Sequence, residues 1–327
     1  MHYLVTPKKR FCHRKGVYQM MGYCLLFLFM ILTLQFRDTV SDCTVFNLQG
    51  TLFYRPRPHF FCLKYNGNLG DQMFQYAFLL TLQIRYSTEI TLPSNNILTP
   101  VFNIVPQNEF ILQYCDCFSK RTQKETSYGF DPTLLNMDVN FEGSFQSYKY
   151  FESQFDEVRA RFHPRKGITS KVRKNLDQIR HEHGGKNSTL VGIYLPVPEE
   201  KGIIGTDVEN FMEKAIQMYK EQYRNVICVC VIQLGAEAFW MKTKFINQLD
   251  ISVLVESGED ITLGLLASMD HSIILRDSLA WWGAWLAGGK VVYYKDNIDS
   301  NNRDNLDGND NRHLNSIRFP PTWISLS

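Results

Sequence analysis

Three short stretches carry residue types that suit chemistry on an anion. The first reads Asn66-Gly67-Asn68-Leu69-Gly70-Asp71-Gln72-Met73-Phe74-Gln75-Tyr76-Ala77. Glycines let a backbone approach a ligand closely, and the start of a helix offers N–H groups to an anion. A strand at 60–63, a loop at 66–70 and a helix from Asp71 to Tyr86 would place such groups together. The plain alternative is a structural turn. The second stretch, Ser278-Leu279-Ala280-Trp281-Trp282-Gly283-Ala284-Trp285-Leu286, follows an apolar run at 272–275. The Ser278 hydroxyl then stands between a strand end and a helix start, where it suits a hydrogen bond to a phosphate. Arg276, two residues earlier, reads either as a solvated strand-end arginine or as a source of positive charge. The third stretch, Gly143-Ser144-Phe145-Gln146-Ser147-Tyr148-Lys149-Tyr150-Phe151, offers polar side chains at Gln146, Ser147 and Lys149.

The elements that must hold these residues follow from apolar periodicity. Runs at 191–195, 226–232, 251–255, 272–275 and 290–294 read as buried strands, with helical segments between them. Val208, Phe211, Met212, Ala215, Ile216 and Tyr219 keep helix spacing. Strand and helix alternating at short intervals imply an α/β protein with a parallel sheet covered on both faces. Ligands of such sheets bind beyond the carboxyl ends of the strands. Met73, Phe74, Tyr76, Ala77, Leu79 and Leu80 form the core-facing set of the helix after the first loop. Phe151, Phe155, Val158 and Phe162 make a helix stripe expected to be core packing, and Trp281, Trp282 and Trp285 are expected to pack rather than to form sugar platforms.

Composition narrows the class. The chain has 327 residues and a formal net charge of +2, without the concentrated basic face that a nucleic-acid partner requires. Residues 1–15 carry Lys8, Lys9, Arg10, Arg14 and Lys15, and residues 16–36 carry no charge. A membrane-crossing helix needs about 20 apolar residues, with the basic flank on the cytoplasmic side. The expectation is a cytosolic tail at 1–15, a transmembrane signal anchor at 16–36 and a stem at 37–59. A cleaved signal peptide is the alternative, but no small-x-small cleavage site follows the run. The globular part is expected as two halves, 60–185 and 186–327. Eight cysteines are present, and six lie after the anchor, where disulfides persist. Cys43–Cys62 and a pairing that uses Cys115 are both open; Cys228 and Cys230 read as buried thiols on a strand. The sequon Asn187-Ser188-Thr189 agrees with a luminal location. No Asp-x-Asp occurs in the chain, so a metal-bound diphosphate is not suggested.

Taken as whole strings, the three stretches resemble the α-1,2-fucosyltransferase family. The first is similar to its G-G-L-G-N-Q-M-F-Q-Y-A signature, the second to S-T-F-S-W-W-G-A-W-L and the third to G-Y-F-Q-S-x-K-Y-F, in the family's order over roughly residues 60–295. The resemblance implies a GT-B-like fold of two Rossmann-like halves, GDP-fucose as donor, a galactose-terminated glycan as acceptor, and metal-independent, inverting transfer at a Golgi membrane. It implies donor contacts at Gly67, Asn68, Gly70, Gln72, Arg276 and Ser278, and an acceptor cleft bordered by Gln146, Ser147 and Lys149. Asp71, which stands where the signature has Asn, is the candidate general base. One departure is large. Where the family carries H-V-R-R-G-D, this chain reads Tyr194-Leu195-Pro196-Val197-Pro198-Glu199, so both arginines are missing. Losing a guanidinium that neutralises a leaving diphosphate costs several kcal/mol, on the order of 3. A non-catalytic Golgi protein that keeps the fold and binds glycan or an active transferase is therefore the second reading. A luminal hydrolase lacks any triad-like string.

If the topology is as expected, Asn187 carries a glycan that an endoglycosidase removes with a visible mobility shift. An unglycosylated Asn187, accessible on the cytosolic side of sealed membranes, would exclude the type II arrangement.

Overall fold

In the computed structural model, which describes residue 43 and residues 58–122, 128–183, 187–195, 206–233, 251–256, 258–295 and 318–327, every paired strand runs parallel to its neighbours. The expected anchor at 16–36 and positions 196–199 lie outside the described residues. Among the described residues, no helix is long and apolar enough to cross a membrane. The chain divides into two compact units: Met1–Pro58, almost wholly outside the described residues, and His59–Ser327, which holds both sheets.

The first sheet has four strands in the order β2-β1-β4-β3: β1 Phe60–Leu63, β2 Glu89–Ile90, β3 Ser119–Thr122 and β4 Val139–Glu142. Only β1 was expected from the sequence. The others are too short and too polar to announce themselves; β3, Ser-Lys-Arg-Thr, is exposed throughout. Helix α1, Leu69–Tyr86, follows β1 and begins two residues before the expected start. Its buried set includes every predicted core residue and also Gln72, Gln75, Phe78, Thr81 and Leu82, so it is enclosed on nearly all sides over its first three turns. Cys62 on β1 is bonded to Cys115, across a separation of 53 residues, which excludes the Cys43–Cys62 alternative. A short helix α2, Leu98–Val101, precedes β3. Helices α3, Phe155–Arg161, and α4, Lys166–His183, lead to the second sheet.

The second sheet has six strands in the order β10-β9-β8-β5-β6-β7. These are β5 Thr189–Leu195, β6 Val226–Gln233, β7 Ile251–Glu256, β8 His271–Ile274, β9 Val291–Tyr294 and β10 Ile324–Leu326. Five match the predicted apolar runs. The edge strand β10 does not, because three residues next to two prolines carry no period. Both faces of the sheet are covered, which is why its central strands are apolar throughout rather than alternating. Val191, Ile193 and Leu195 pack with Phe211, Met212 and Ala215 of α5, Thr206–Gln222. Leu190 and Tyr194 point to the other face, toward α6, Glu259–Leu266, and α7, Ser278–Ala287. Cys228 and Cys230 are buried thiols outside any disulfide on the α5 face, and burial pushes the Cys230 thiol up.

The two sheets meet through α1 and α7. A β-carbon at Gly70 would lie 2.5 Å from the backbone of Ser278 and of Leu279, so only glycine permits this approach. One turn further along, the Phe74 ring lies 4.7 Å from Trp281 and 4.9 Å from Trp282, and Phe151 stacks on Trp282 at 5.3 Å. Trp281 and Trp282 are fully buried, as expected of packing residues. A Gly70→Ala substitution favours an isolated helix by about 1 kcal/mol. Here it forces backbone against backbone, and overpacking costs about 1–3 kcal/mol. The variant is therefore expected to unfold at lower urea concentration than the parent; an unchanged or raised midpoint would mean that α1 and α7 separate freely.

Candidate functional site

The site is built at the amino ends of α1 and α7, where the three stretches of sequence converge. Asn68 caps α1: its Oδ1 accepts from the Asp71 N–H at 2.9 Å, and the Asp71 Oδ2 accepts from the Asn68 N–H at 3.1 Å. This reciprocal cap is the reason the helix starts where it does. The Ser278 hydroxyl donates to the same Asn68 Oδ1 at 2.9 Å, 210 residues away in sequence. The Gln146 amide donates to the Asp71 Oδ1 at 2.7 Å. Ser278, Asn68, Asp71 and Gln146 thus form one continuous hydrogen-bonded chain. Gly67 has φ +81°, and a β-carbon there would meet the Asp71 carboxylate at 2.3 Å, so the turn that enters the cap also requires glycine. Asn66 exchanges hydrogen bonds with the Gln75 side chain at 3.1 and 2.7 Å and so closes the loop onto its own helix. Gln72 is buried and donates to the Gly67 carbonyl at 3.4 Å.

Three of the N–H groups at the start of α1 are already engaged, so this helix start is less open to an anion than its sequence suggested. The Leu69 N–H donates to the Glu259 Oε2 at 2.9 Å, the Asp71 N–H is taken by Asn68, and the Gln72 N–H donates to the Asn68 carbonyl at 3.1 Å. At α7 the Asp277 Oδ1 caps the Ala280 N–H at 2.9 Å. Carboxylates therefore occupy the positive ends of both helices, as the macrodipole favours. Asp71, Asp277 and Glu259 are near enough to feel one another. Burial holds the Asp277 carboxyl above the ordinary aspartate range; hydrogen bonds from Ala280 and Leu279 pull it back, and Asp71 and Glu259 add to the rise. Tyr194, at the end of β5 where the family motif has His, is buried on the same face, and burial, then Asp277 and Glu259, push its phenol up.

The remaining predicted residues lie around this centre or apart from it. Arg276 is exposed at the end of β8. Ser147 is buried and caps a turn of 3-10 helix by accepting from the Lys149 N–H at 3.3 Å. The Lys149 Nζ lies 5.6 Å from the centre of the Tyr128 ring. Tyr128, Phe145 and Tyr150 line a cavity of about 410 Å³ together with Arg85, Lys120 and Arg121. Asn187 is exposed in the turn before β5, away from the junction. Among the described residues, no group of three His, Cys, Asp or Glu side chains is arranged to hold a metal ion.

Sequence reasoning missed Glu259, Asp277 and Arg318. Asp277 was legible as an N-cap directly before the helix. Glu259 opens a helix after Gly258, a common capping pattern, and nothing local shows that its carboxylate reaches Leu69. Arg318 is half-buried and, apart from its own burial, senses Arg276, Asp277 and Asp71.

Two parallel αβ sheets with a polar junction between them form a GT-B-like arrangement. The chain belongs to the family described as Glycosyl transferase family 11, which it matches over residues 43–315. It is 25% identical over 292 residues to a galactoside alpha-(1,2)-fucosyltransferase 1 of Bos taurus, covering 77% of this chain and 76% of that protein. It is 27% identical over 255 residues to the Homo sapiens protein of the same name, covering 70% and 66%. It is 25% identical over 254 residues to an alpha-1,2-colitosyltransferase of Escherichia coli, covering 67% and 85%. In fold it is similar to a mutant of Arabidopsis thaliana FUT1 solved in complex with GDP, with a TM-score of 0.53, 12% identity, and coverage of 80% of this chain and 76% of that one.

A carboxyl raised by burial favours the folded state on the acid side, and that contribution is lost as pH rises through the raised value. Asparagine caps a helix as well as aspartate and carries no charge. Asp277→Asn is therefore expected to be at least as stable as the parent near neutrality, with its relative advantage shrinking as pH falls toward the ordinary aspartate range. Urea unfolding of both proteins at several pH values checks this. An advantage that grows toward acid would reverse the sign.

Proposed function

We propose that the protein transfers L-fucose from GDP-fucose to the 2-hydroxyl of a galactose on a glycan, with inversion and without a metal ion. The observation that carries this reading is the hydrogen-bonded chain Ser278–Asn68–Asp71–Gln146, which joins all three family-like stretches at one junction between the sheets. The names of its relatives support α-1,2 transfer and differ in the sugar, fucose in one case and colitose in the other. The GDP held by the similar Arabidopsis structure supports a nucleotide-sugar donor.

In the reaction the acceptor hydroxyl attacks the anomeric carbon of fucose as the bond from that carbon to the diphosphate oxygen breaks. GDP leaves with the bonding pair, and the hydroxyl proton passes to a base. Asp71 is the candidate base. Its two oxygens accept from Gln146 and from the Asn68 N–H, which orients the carboxylate and leaves each oxygen a further lone pair for a proton. Gln146 and the aromatic cavity beside it lie on the acceptor side of this scheme. The protein is placed in the Golgi membrane as a single-pass type II chain, with residues 1–15 cytosolic, 16–36 spanning and the remainder luminal.

One observation favours the second reading, a catalytically impaired paralogue that binds glycan or a partner transferase. Carboxylates already take the Leu69 N–H of α1 and the Ala280 N–H of α7, which a diphosphate would otherwise meet. Calorimetry with GDP-fucose on the detergent-solubilised full chain, followed by transfer to a galactose-terminated acceptor, separates the two. Binding weaker than that of relatives with the arginine motif, with turnover that survives chelation, is the expected result. Activity lost to a chelator and restored by manganese contradicts metal-independent transfer. Glycan binding without any GDP-fucose binding selects the impaired paralogue.

A further inference from the structure

We propose that Arg318 supplies the positive charge for the donor diphosphate that Pro196 and Val197 do not provide, acting beside Arg276 at the amino end of α7. This rests on the nucleotide-sugar reading above. It goes beyond that reading by assigning a contact to a segment outside the three recognised stretches.

The chain's last residues are anchored so that the Arg318 backbone lies against α7. The Trp281 indole N–H donates to the Arg318 carbonyl at 3.0 Å, which fixes that backbone one turn from Ser278. Phe319 is buried and stacks on Tyr293 at 4.1 Å, Trp323 lies 5.3 Å from Trp281, and β10 extends the sheet beside β9. These contacts hold the position of Arg318 without using its side chain.

The side chain itself is in an unfinished environment. Its Nε is buried and has no hydrogen-bond partner, and the guanidinium lies 5.9 Å from the Phe319 ring. Among the described residues, no ion pair includes it. A buried charged donor left unsatisfied is costly, and a ligand acceptor removes that cost. Burial, and then the neighbouring Arg276, disfavour its charged form, while Asp277 and Asp71 favour it. Arg276 and Arg318 act on each other as like charges, and an anion bound by either relieves that repulsion. A diphosphate offers the paired oxygens that a guanidinium fork matches best. Asp71 and Asp277 supply partial compensation when no anion is bound, so a purely structural counter-ion role is the alternative to exclude.

The test compares guanosine, GMP and GDP as titrants of the full chain in detergent, for the parent, Arg318→Gln and Arg318→Lys. Neither substitution touches the carbonyl that holds Trp281. The expected result is that Arg318→Gln loses about tenfold or more of GDP affinity, leaves guanosine affinity unchanged, and is partly rescued by Arg318→Lys. In the parent, GDP but not guanosine should also protect Arg318 from phenylglyoxal, read by mass spectrometry; this arm requires no variant to fold. Equal loss for all three ligands, or unprotected Arg318 in a GDP-saturated parent, makes the arginine structural and overturns the assignment. A parent that binds GDP, with Arg318→Gln binding it equally well, overturns the assignment and leaves the donor reading standing. A parent that binds no GDP removes the donor reading itself.

Discussion

The fold of this protein depends on the approach of two helix starts, α1 from the first half and α7 from the second. Gly70 brings the α1 backbone against Ser278 and Leu279 at a distance that no side chain survives. Below that contact, Phe74, Phe151, Trp281, Trp282 and Trp285 form one aromatic mass, with tilted, stacked and edge-on pairs between about 4.7 and 6.2 Å. Such pairs contribute about 0.5–1.5 kcal/mol each beyond the area they bury. The residues that read as family signatures therefore do two tasks. Their aromatic members weld the halves together, and their polar members are carried to the junction as a consequence.

The electrostatics of that junction are dominated by carboxylates. Two helix dipoles point their positive ends inward, and three carboxylates, Asp71, Glu259 and Asp277, already answer them. Placing carboxylates together in a half-buried space carries a cost, which is visible in the raised Asp277 carboxyl. Asp277 and Asp71 in turn favour the charged form of Arg318. An effective dielectric intermediate between protein and water makes each charge worth more there than at the surface.

The second sheet contributes by orientation. Parallel strands covered on both faces alternate their side chains between two cores, so β5 sends Val191, Ile193 and Leu195 to α5 and sends Leu190 and Tyr194 to α6 and α7. Strand parity thus turns Tyr194 toward α6 and α7, where burial, then Asp277 and Glu259, push its phenol up. The chain end matters in the same way: β10 and Phe319 dock the last residues on the sheet edge and deliver Arg318 to α7.

The sequence by itself determined the α/β class, the five apolar strands of the second sheet, helix α1 after β1, the burial of the tryptophans and the buried thiols at Cys228 and Cys230. Each of these follows from local periodicity or from a short string, where neighbouring residues share one element and one environment. It also determined the family, through Asn66–Ala77, Gly143–Phe151 and Ser278–Leu286, and singled out Asn68, Asp71, Gln146 and Ser278 as residues worth bringing together. Only the tertiary structure decided how they meet. The strands β2, β3, β4 and β10 are broken by polar residues or only two residues long, so no apolar run marks them. The pairing of Cys62 with Cys115 depends on where a 3-10 helix lies against β1. The partner of the Leu69 N–H at the start of α1 is Glu259, 190 residues away. The presence of Arg318 at α7 depends on a strand added at the sheet edge. Contacts of this kind are set by packing between elements distant in sequence, and no local pattern of residue types records which distant side chain will answer a given backbone group.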